Sequence, residues 1–357
     1  EMDTTLSTAA DRIKLYINGV RVTEFEDSLG TISQSKSMDM MENTNGRITI
    51  GRGAIGGSDY YWDGLLSHFH YTDGYAYGAS SFGQTDASTG QWTINTSPSV
   101  TYGTNGFFML KDDASLSDDS GQGNNFTLGG GTIIPTQDNP SNIFAVINRL
   151  NPNAGENIAF SAGDCSIDST GAAHRNAPCT FVLPLGNGKF YWEMKVDRMS
   201  THVKIGITSD EWSKLNKPTP NEEFSSSNEG YTYRNDGSKE NNGITSFGNS
   251  YTVGDIIGVA FDTENRKLYY AKNGTWQNSG DPTSGSTGTG AAFTITAGFN
   301  YVPAVNLYNA DVSFNFGNGY FGTTAISSEG TNASGLGKFE YDVPAGYTSL
   351  CTKGLNL

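Results

Sequence analysis

The chain has 357 residues, enough for about two or three domains with cores of their own. Its formal charge of −15 repels a phosphate backbone and an anionic membrane surface alike, which excludes nucleic acid as an expected partner. An aromatic content of 12% and 45 glycines, beside only 17% charged residues, exclude disorder and point to turn-rich, all-β structure. No apolar run approaches the ~20 residues of a membrane helix, so no membrane insertion is expected, and no signal peptide opens the sequence.

Residues 12–17 alternate apolar and polar side chains and end in Asn18-Gly19, and residues 20–25 alternate again. That pattern predicts a hairpin, because Asn-Gly supplies the positive φ that a two-residue turn demands. Residues 47–51, 64–71 and 107–110 read as further strands. Residues 137–142 are polar, turn-prone and carry a proline, which reads as a domain boundary. Beyond them, residues 189–196, 203–208, 256–262, 267–272, 302–306 and 312–316 have strand period, and Asn273-Gly274 supplies another tight turn. The alternation at 256–262 and 267–272 predicts one face in a core and the other in water. Residues 212–215 are expected to form one helical turn and residues 280–290 a flexible Gly/Ser/Thr tip.

The chemistry-bearing residues are sparse. Cys165 and Cys179 bracket a small-residue stretch and read either as a disulfide or as two small buried side chains, while Cys351 has no evident partner. Asn95, Asn125, Asn273 and Asn332 open Asn-x-Ser/Thr triplets, which matter only in a host that glycosylates. His68 and His70 share a strand face by their i, i+2 spacing. A metal would need further converging ligands, and the plainer reading is two rings on a sheet. His174 and His202 have no recognisable Ser or Cys partner for a nucleophile triad. The acidic clusters at residues 24–27 and 222–223 lack the alternating carboxylates of a glycanase strand, so no enzymatic activity is expected. Asp118, Asp119 and Asn124 lie in an oxygen-rich, glycine-spaced loop. This is the one place where the sequence admits a cofactor, Ca²⁺, against the alternative of an Asx-turn loop bonded to itself. Tyr231, Tyr233, Arg234, Asn241, Asn242, Trp276 and Tyr308 fall on or near strand-connecting loops and form the candidate ligand-binding set. Their aromatic faces suit sugars or peptides, against the alternative that Tyr231 and Tyr233 are simply sheet residues.

Gly188-Lys-Phe-Tyr-Trp-Glu193, Ile205-Gly-Ile207, Gly230-Tyr-Thr-Tyr233, Gly254-Asp-Ile-Ile-Gly-Val259, Leu268-Tyr-Tyr-Ala-Lys-Asn-Gly274 and Val312-Ser-Phe-Asn-Phe-Gly317 occur in the order and spacing of a SPRY domain. The second half therefore resembles that family, a bent β-sandwich that generally binds peptides through its loops. Arg12-Ile-Lys-Leu-Tyr-Ile-Asn-Gly-Val20, then Ile48-Thr-Ile-Gly51, Trp62-Asp-Gly64 and a strand to Tyr71, are similar to the later part of a LamG, or concanavalin-type, sandwich. Residues 80–92, 102–107, 118–126 and 138–142 and the tail Pro344-Ala-Gly-Tyr-Thr-Ser-Leu-Cys-Thr352 resemble phage tail-fibre and virion-appendage proteins.

The resemblance implies two β-sandwich domains with antiparallel sheets and little helix. A LamG-like sandwich spans 1–136, a linker 137–154 and a SPRY-like sandwich 155–320, and a C-terminal extension, 321–357, packs on the sandwiches. In the LamG-like family the Tyr-Ile-Asn-Gly hairpin lies mid-sandwich. Here eleven residues precede Arg12, so half of that sandwich is expected from further chain or from a neighbour's strands. The implied function is a non-enzymatic virion-surface or tail-fibre protein, located on the virion or outside cells, that adheres to a host-surface glycan or protein. Its other partners would be copies of itself or fibre and virion neighbours. The alternatives are a self-assembling extracellular filament or capsid-decoration subunit and, further off, a polysaccharide-degrading spike.

Overall fold

Residues that alternate in the sequence alternate across pleated strands, and Asn-Gly pairs close several of the hairpins. The computed structural model describes residues 1–24, 32–36, 48–55, 58–62, 64–87, 90, 92–111, 115–139, 142–151, 158–171, 173–214 and 222–356. The chain forms two compact units, Glu1–Pro135 and Thr136–Leu357, each described by itself.

The first unit holds β1 (Tyr16–Ile17), β2 (Val20–Arg21), β3 (Arg52–Ile55), β4 (Ser58–Tyr61), β5 (Phe69–Tyr71), β6 (Gly83–Thr85), β7 (Trp92–Ile94) and β8 (Phe107–Met109). They pair antiparallel and two by two: β1 with β2, β3 with β4, β5 with β8 and β6 with β7. Asn18 (φ 49°) and Gly19 (φ 79°) make the expected turn between β1 and β2. The strand expected at 47–51 starts later, at Arg52, because Gly51 adopts φ 77° and interrupts the extension; Arg47 lies outside the described residues. The strand expected at 64–71 is shorter, since His68 is left-handed (φ 50°) and only Phe69–Tyr71 pair. The shared-face argument for His68 and His70 therefore does not apply. Both rings instead pack on Phe108, at centroid distances of 5.7 and 4.0 Å. Burial, then the neighbouring His68, pushes the His70 imidazole down to about 4.

The second unit holds β9 (Ile158–Ser161), β10 (Ser166–Ser169), β11 (Arg175–Pro178), β12 (Lys189–Ser209), α1 (Asp210–Lys214), β13 (Gly230–Arg234), β14 (Ser238–Glu240), β15 (Ile244–Ser246), β16 (Ile256–Asp262), β17 (Lys267–Lys272), β18 (Thr275–Trp276), β19 (Phe293–Thr294), β20 (Tyr301–Asn315), β21 (Tyr320–Phe321), β22 (Thr324–Ala325) and β23 (Thr348–Ser349). The chain is thus all-β, with large antiparallel pairing and little helix. The helical turn expected around Trp212 is α1, whose Trp212 N–H donates to Ser209 Oγ at 2.9 Å; Leu215 lies outside the described residues. Residues 280–290 fold into 3-10 turns capped by Asp281 rather than forming a bare tip.

Two long strands organise this unit. β12 pairs with β16 through its first half (Lys189↔Asp262 to Lys195↔Ile256) and with β13 through its second (Lys204↔Arg234 to Thr208↔Gly230). β20 follows β12 along most of its length, with register shifts between Val196 and Arg198 and between Met199 and His202. Such bulges bend a strand, which lets one strand serve two layers. Trp192, Met194, Val196, Val203, Ile205, Ile207, Val259, Phe261, Leu268, Tyr270, Val305, Leu307 and Phe314 fill the core.

The expected watery outer face is absent on β16, where every residue from Ile256 to Asp262 is buried. The tail covers it: Phe339, Val343 and Tyr347 pack with Tyr191, Ala260 and Tyr269 in a second apolar cluster.

Cys165, Cys179 and Cys351 are all free and buried, so of the two readings of Cys165 and Cys179 the disulfide is corrected and the pair of small buried side chains holds. Both cysteines are fastened to β20, but the Cys179 N–H bonds to Pro303 and the Cys165 carbonyl to the Phe314 N–H. Those anchors are on the order of 30 Å apart at strand rise, and a disulfide needs Cα atoms within about 7 Å.

Candidate functional site

The Asp118 loop of the first unit is bonded to itself. Asp118 Oδ1 accepts from the Phe108 and Ser120 N–H groups (both 2.9 Å), and Oδ2 from Ser120 Oγ (2.8 Å) and the Asn124 N–H (2.9 Å). Four donors use the four lone-pair sites of the carboxylate. Burial works against the ionised form, but these hydrogen bonds outweigh it and lower the pKa. Asn124 donates to the Thr104 and Gly106 carbonyls. The Asx-turn reading therefore describes this loop. Among the described residues, no three His, Cys, Asp or Glu side chains, Asp119 included, gather where a metal would sit.

The densest polar constellation lies across the second half of β12 in the second unit. Strand register builds it: Asn176 pairs with Asn306, Asn306 with Lys204, Lys204 with Arg234, and Thr232 with Glu240. Lys204 is only 2% exposed, and a buried ammonium must be compensated by charge. Its Nζ reaches Glu223, and Glu240 at 2.9 Å. Arg234 joins the same Glu240 at 2.8 Å and Asp236 at 3.2 Å. His174 Nε2 lies 2.9 Å from Glu223, and its Nδ1 lies 2.9 Å from Asn306 Oδ1. Asn306 in turn donates to Asn176 Oδ1 at 2.7 Å.

Burial alone would raise the Glu223 carboxyl, but hydrogen bonds from His174 and Lys204 overcome it and hold it at about 2. Above the charges stand three half-buried rings. His174 stacks on His202 at 6.0 Å, and the edge of Tyr308 meets His174 at 4.9 Å and His202 at 6.3 Å. Burial, then the charges of Lys204 and Arg234, lower the His202 pKa.

The structure sorts the seven candidate binders. Arg234 and Tyr308 belong to this constellation. Asn241 and Asn242 flank it: Asn241 Nδ2 donates to the Gly230 carbonyl at 2.8 Å, and the Asn242 N–H to the Ser225 carbonyl at 2.9 Å, two residues beyond Glu223. Tyr231 and Tyr233 are core residues, inside because their strand positions face the sandwich interior, so neither ring is available to a ligand. Trp276 lies elsewhere, half-buried against Tyr191 and Tyr269. Sequence reasoning missed Lys204, Glu223 and Glu240 as partners and left His174 and His202 unassigned. The available signal was a lysine inside the apolar run 203–208, since a charge at such a position calls for a counter-charge. Of the glycosylation triplets, Asn273 and Asn332 already use Nδ2 as a donor, to Asp255 and to the Leu336 carbonyl. Asn95 and Asn125 accept from the Ser97 and Asp118 N–H groups.

The second unit is thus a large bent sheet that shares its long strands between two layers and carries the charged and aromatic constellation across β12. The SPRY domain family model matches residues 189–319, and this part of the chain is a SPRY domain. SPRY domains are generally interaction modules rather than enzymes. The chain is also similar to the ATP-dependent RNA helicase Ddx1 of Drosophila melanogaster, 28% identical over 162 residues, which cover 42% of this chain and 19% of that protein. The chain therefore spans about a fifth of that relative. The crystal structure of the SPRY domain of human HERC1 aligns over 46% of this chain and 95% of its own, at 16% identity and a TM-score of 0.36.

Proposed function

We propose that the chain is a non-enzymatic recognition protein whose SPRY part captures a protein partner on the surface formed by His174, His202 and Tyr308, with Arg234 and Asn242 at its rim. One observation carries this reading: three half-buried rings are fixed over an ion network whose charges are already mutually paired. Such a patch is pre-organised and loses little freedom on binding. Aromatic residues and arginine are also the side chains on which interface energy concentrates.

The test is to pan a randomised peptide display library on the full chain. Enriched peptides should lose about tenfold or more in affinity on Tyr308→Ala and His202→Ala, with the melting temperature unchanged, the usual size of a hot-spot truncation. Peptides that bind both variants as well as the parent would remove the reading.

The proposed wider setting is a virion or another extracellular particle, with adhesion to a host-surface protein or glycan. It rests on the likeness of residues 80–92, 102–107 and 118–126 to phage appendage proteins, and a LamG-like origin for the first unit rests on its hairpin motifs. A second reading, self-assembly into a filament or surface lattice, is favoured by the first unit's exposed side chains. Val20 and Tyr61 are each 71% exposed and Trp62 is 60% exposed, on or beside hairpins that are two-stranded among the described residues. Open edges and exposed rings of this kind promote association. Sedimentation velocity decides it: a mass that rises with concentration and falls on Tyr61→Lys supports assembly, and a monomer throughout opposes it.

A further inference from the structure

Each ring nitrogen of His174 faces an oxygen at 2.9 Å: Nε2 meets Glu223 Oε1, and Nδ1 meets Asn306 Oδ1. Which of these atoms carry protons follows from the far ends of the chain of contacts. The Glu222 carbonyl only accepts, so the Asn176 amide that meets it at 2.7 Å does so through Nδ2. Asn176 Oδ1 then accepts from Asn306 Nδ2 at 2.7 Å, which leaves Asn306 Oδ1 turned to the ring. At the other end, the Glu223 carboxyl is held at about 2 and supplies no proton. Both ring nitrogens therefore face acceptors, and a neutral imidazole, with one N–H, satisfies only one of them. Turning both amides over moves the conflict without removing it, since Asn176 Oδ1 would then oppose the Glu222 carbonyl. The contacts are complete only with an imidazolium at His174.

The two ends of this chain belong to adjacent residues, so His174, Asn306 and Asn176 together clamp Glu222 and Glu223. Phe224, the next residue, is fully buried with Trp212 and Ala304. Ser225 Oγ is buried without a hydrogen-bond partner among the described residues, and it gains water when the segment lifts. The other groups facing His174 are the His202 and Tyr308 rings, and Arg175 donates to its carbonyl at 3.4 Å. Behind Glu223, Lys204 is shared with Glu240, which also holds Arg234. Lys204 therefore keeps a counter-charge when Glu223 leaves, and no buried ammonium is stranded.

We propose that His174 is a proton-operated latch, which fastens residues 222–226 as the imidazolium and releases them on giving one N–H proton to solvent. The neutral ring points a lone pair at one of the two oxygens, and the clamp opens at that contact. The latch rests on the reading of His174, His202 and Tyr308 as a binding face to the extent that it sets the pH at which that face is assembled.

The experiment follows the full chain, carrying isotope-labelled histidine, from about pH 5 to 9. Ring-nitrogen NMR reads the protonation of His174, assigned by the signal that His174→Gln removes. Hydrogen exchange with mass spectrometry reads residues 222–229. Both His174 nitrogens should carry protons while that segment is protected. Exchange there should rise about tenfold above its intrinsic pH dependence as the ring deprotonates. Glu223→Gln offers the ring an amide donor, which a neutral imidazole can accept. His174 should then titrate about one pH unit lower or more, a tenfold weaker hold on the proton. A neutral His174 beside a protected segment, exchange that follows only its intrinsic pH dependence, or an unchanged titration in Glu223→Gln overturns the proposal. None of these readouts uses a peptide, so a failed panning experiment removes the binding face and leaves the latch standing.

Discussion

Glu193, in the middle of β12, accepts the backbone N–H of Tyr341 at 2.9 Å and thereby fastens the C-terminal tail to the SPRY sheet. The same carboxylate accepts from the Glu340 N–H (3.0 Å), Tyr191 Oη (3.0 Å) and Asn315 Nδ2 (3.2 Å). Its side chain is fully buried, so the Tyr341 and Glu340 N–H groups and Tyr191 Oη would lose this acceptor if the carboxylate were removed, while Asn315 Nδ2 keeps the Lys338 carbonyl. Glu193→Ala should therefore cost about 3 kcal/mol or more, an unsatisfied buried donor being worth roughly 1–3 kcal/mol. Urea denaturation of the two proteins measures it, and a change below about 1 kcal/mol would show that the tail is not fastened here.

Glu193 also predicts a pH dependence. Burial raises its carboxyl to about 7 from an ordinary value of 4.5, against the hydrogen bonds that lower it. A folded pKa above the unfolded one means that the contribution is fully present below about 4.5 and is lost as pH rises through about 7. Glu193→Gln cannot titrate. The stability difference between parent and variant should therefore narrow as pH rises from 4.5 to 7.5, measured by denaturant midpoint at each pH.

Glu223 should behave with the opposite sign. Its folded value of about 2 lies below the ordinary 4.5, so its contribution is present above 4.5 and lost as pH falls through about 2. Lys204→Met leaves Glu223 and Glu240 without their ammonium, and breaking a buried pair from one side costs about 3–5 kcal/mol. Adding Glu223→Gln to Lys204→Met should recover part of that loss, because Glu240 keeps Arg234 whereas Glu223 has lost its ammonium. A purely additive cycle would show that the two groups do not interact.

The tail is expected to be part of the fold. Phe339 and Tyr347 fill the outer face of β16 and β17 with Tyr191 and Tyr269. Phe339→Ala should cost about 3–5 kcal/mol as a core truncation. A chain ending at residue 319, the limit of the family match, should expose that apolar face and bind a hydrophobic dye. A soluble truncated chain with parental stability would contradict this.

Gly206 tests the pairing of β12 with β13. A Cβ there would come within 1.7 Å of the Tyr231 carbonyl oxygen, which is backbone and cannot step aside. Gly206→Ala should therefore lower the melting temperature steeply, whereas Gly254→Ala, with nothing within 4 Å but φ 89°, should show only the smaller cost of left-handed strain.

Strand identity was legible because it is local. The alternation at 189–196 and 256–262, and the Asn-Gly turns at 18 and 273, are set by residues within a few positions of one another. The ordered motifs from Gly188 to Gly317 also carried the SPRY resemblance that the family match bears out. What neighbours a strand is not local. Whether Tyr233 meets solvent or core depends on a second layer, and the outer face of β16 is dry only because Phe339, more than seventy residues further on, folds back over it. The polar constellation was illegible for the same reason. Lys204, Glu223, Glu240 and His174 come together through strand register and the bulges of β12, and the separation of Cys165 from Cys179 is likewise fixed by where each joins β20. Period and turn chemistry thus chose the all-β class, whereas long-range pairing decided which charges are buried, which rings face outward and which cysteines stay apart. Contacts between distant segments leave no local trace in residue order.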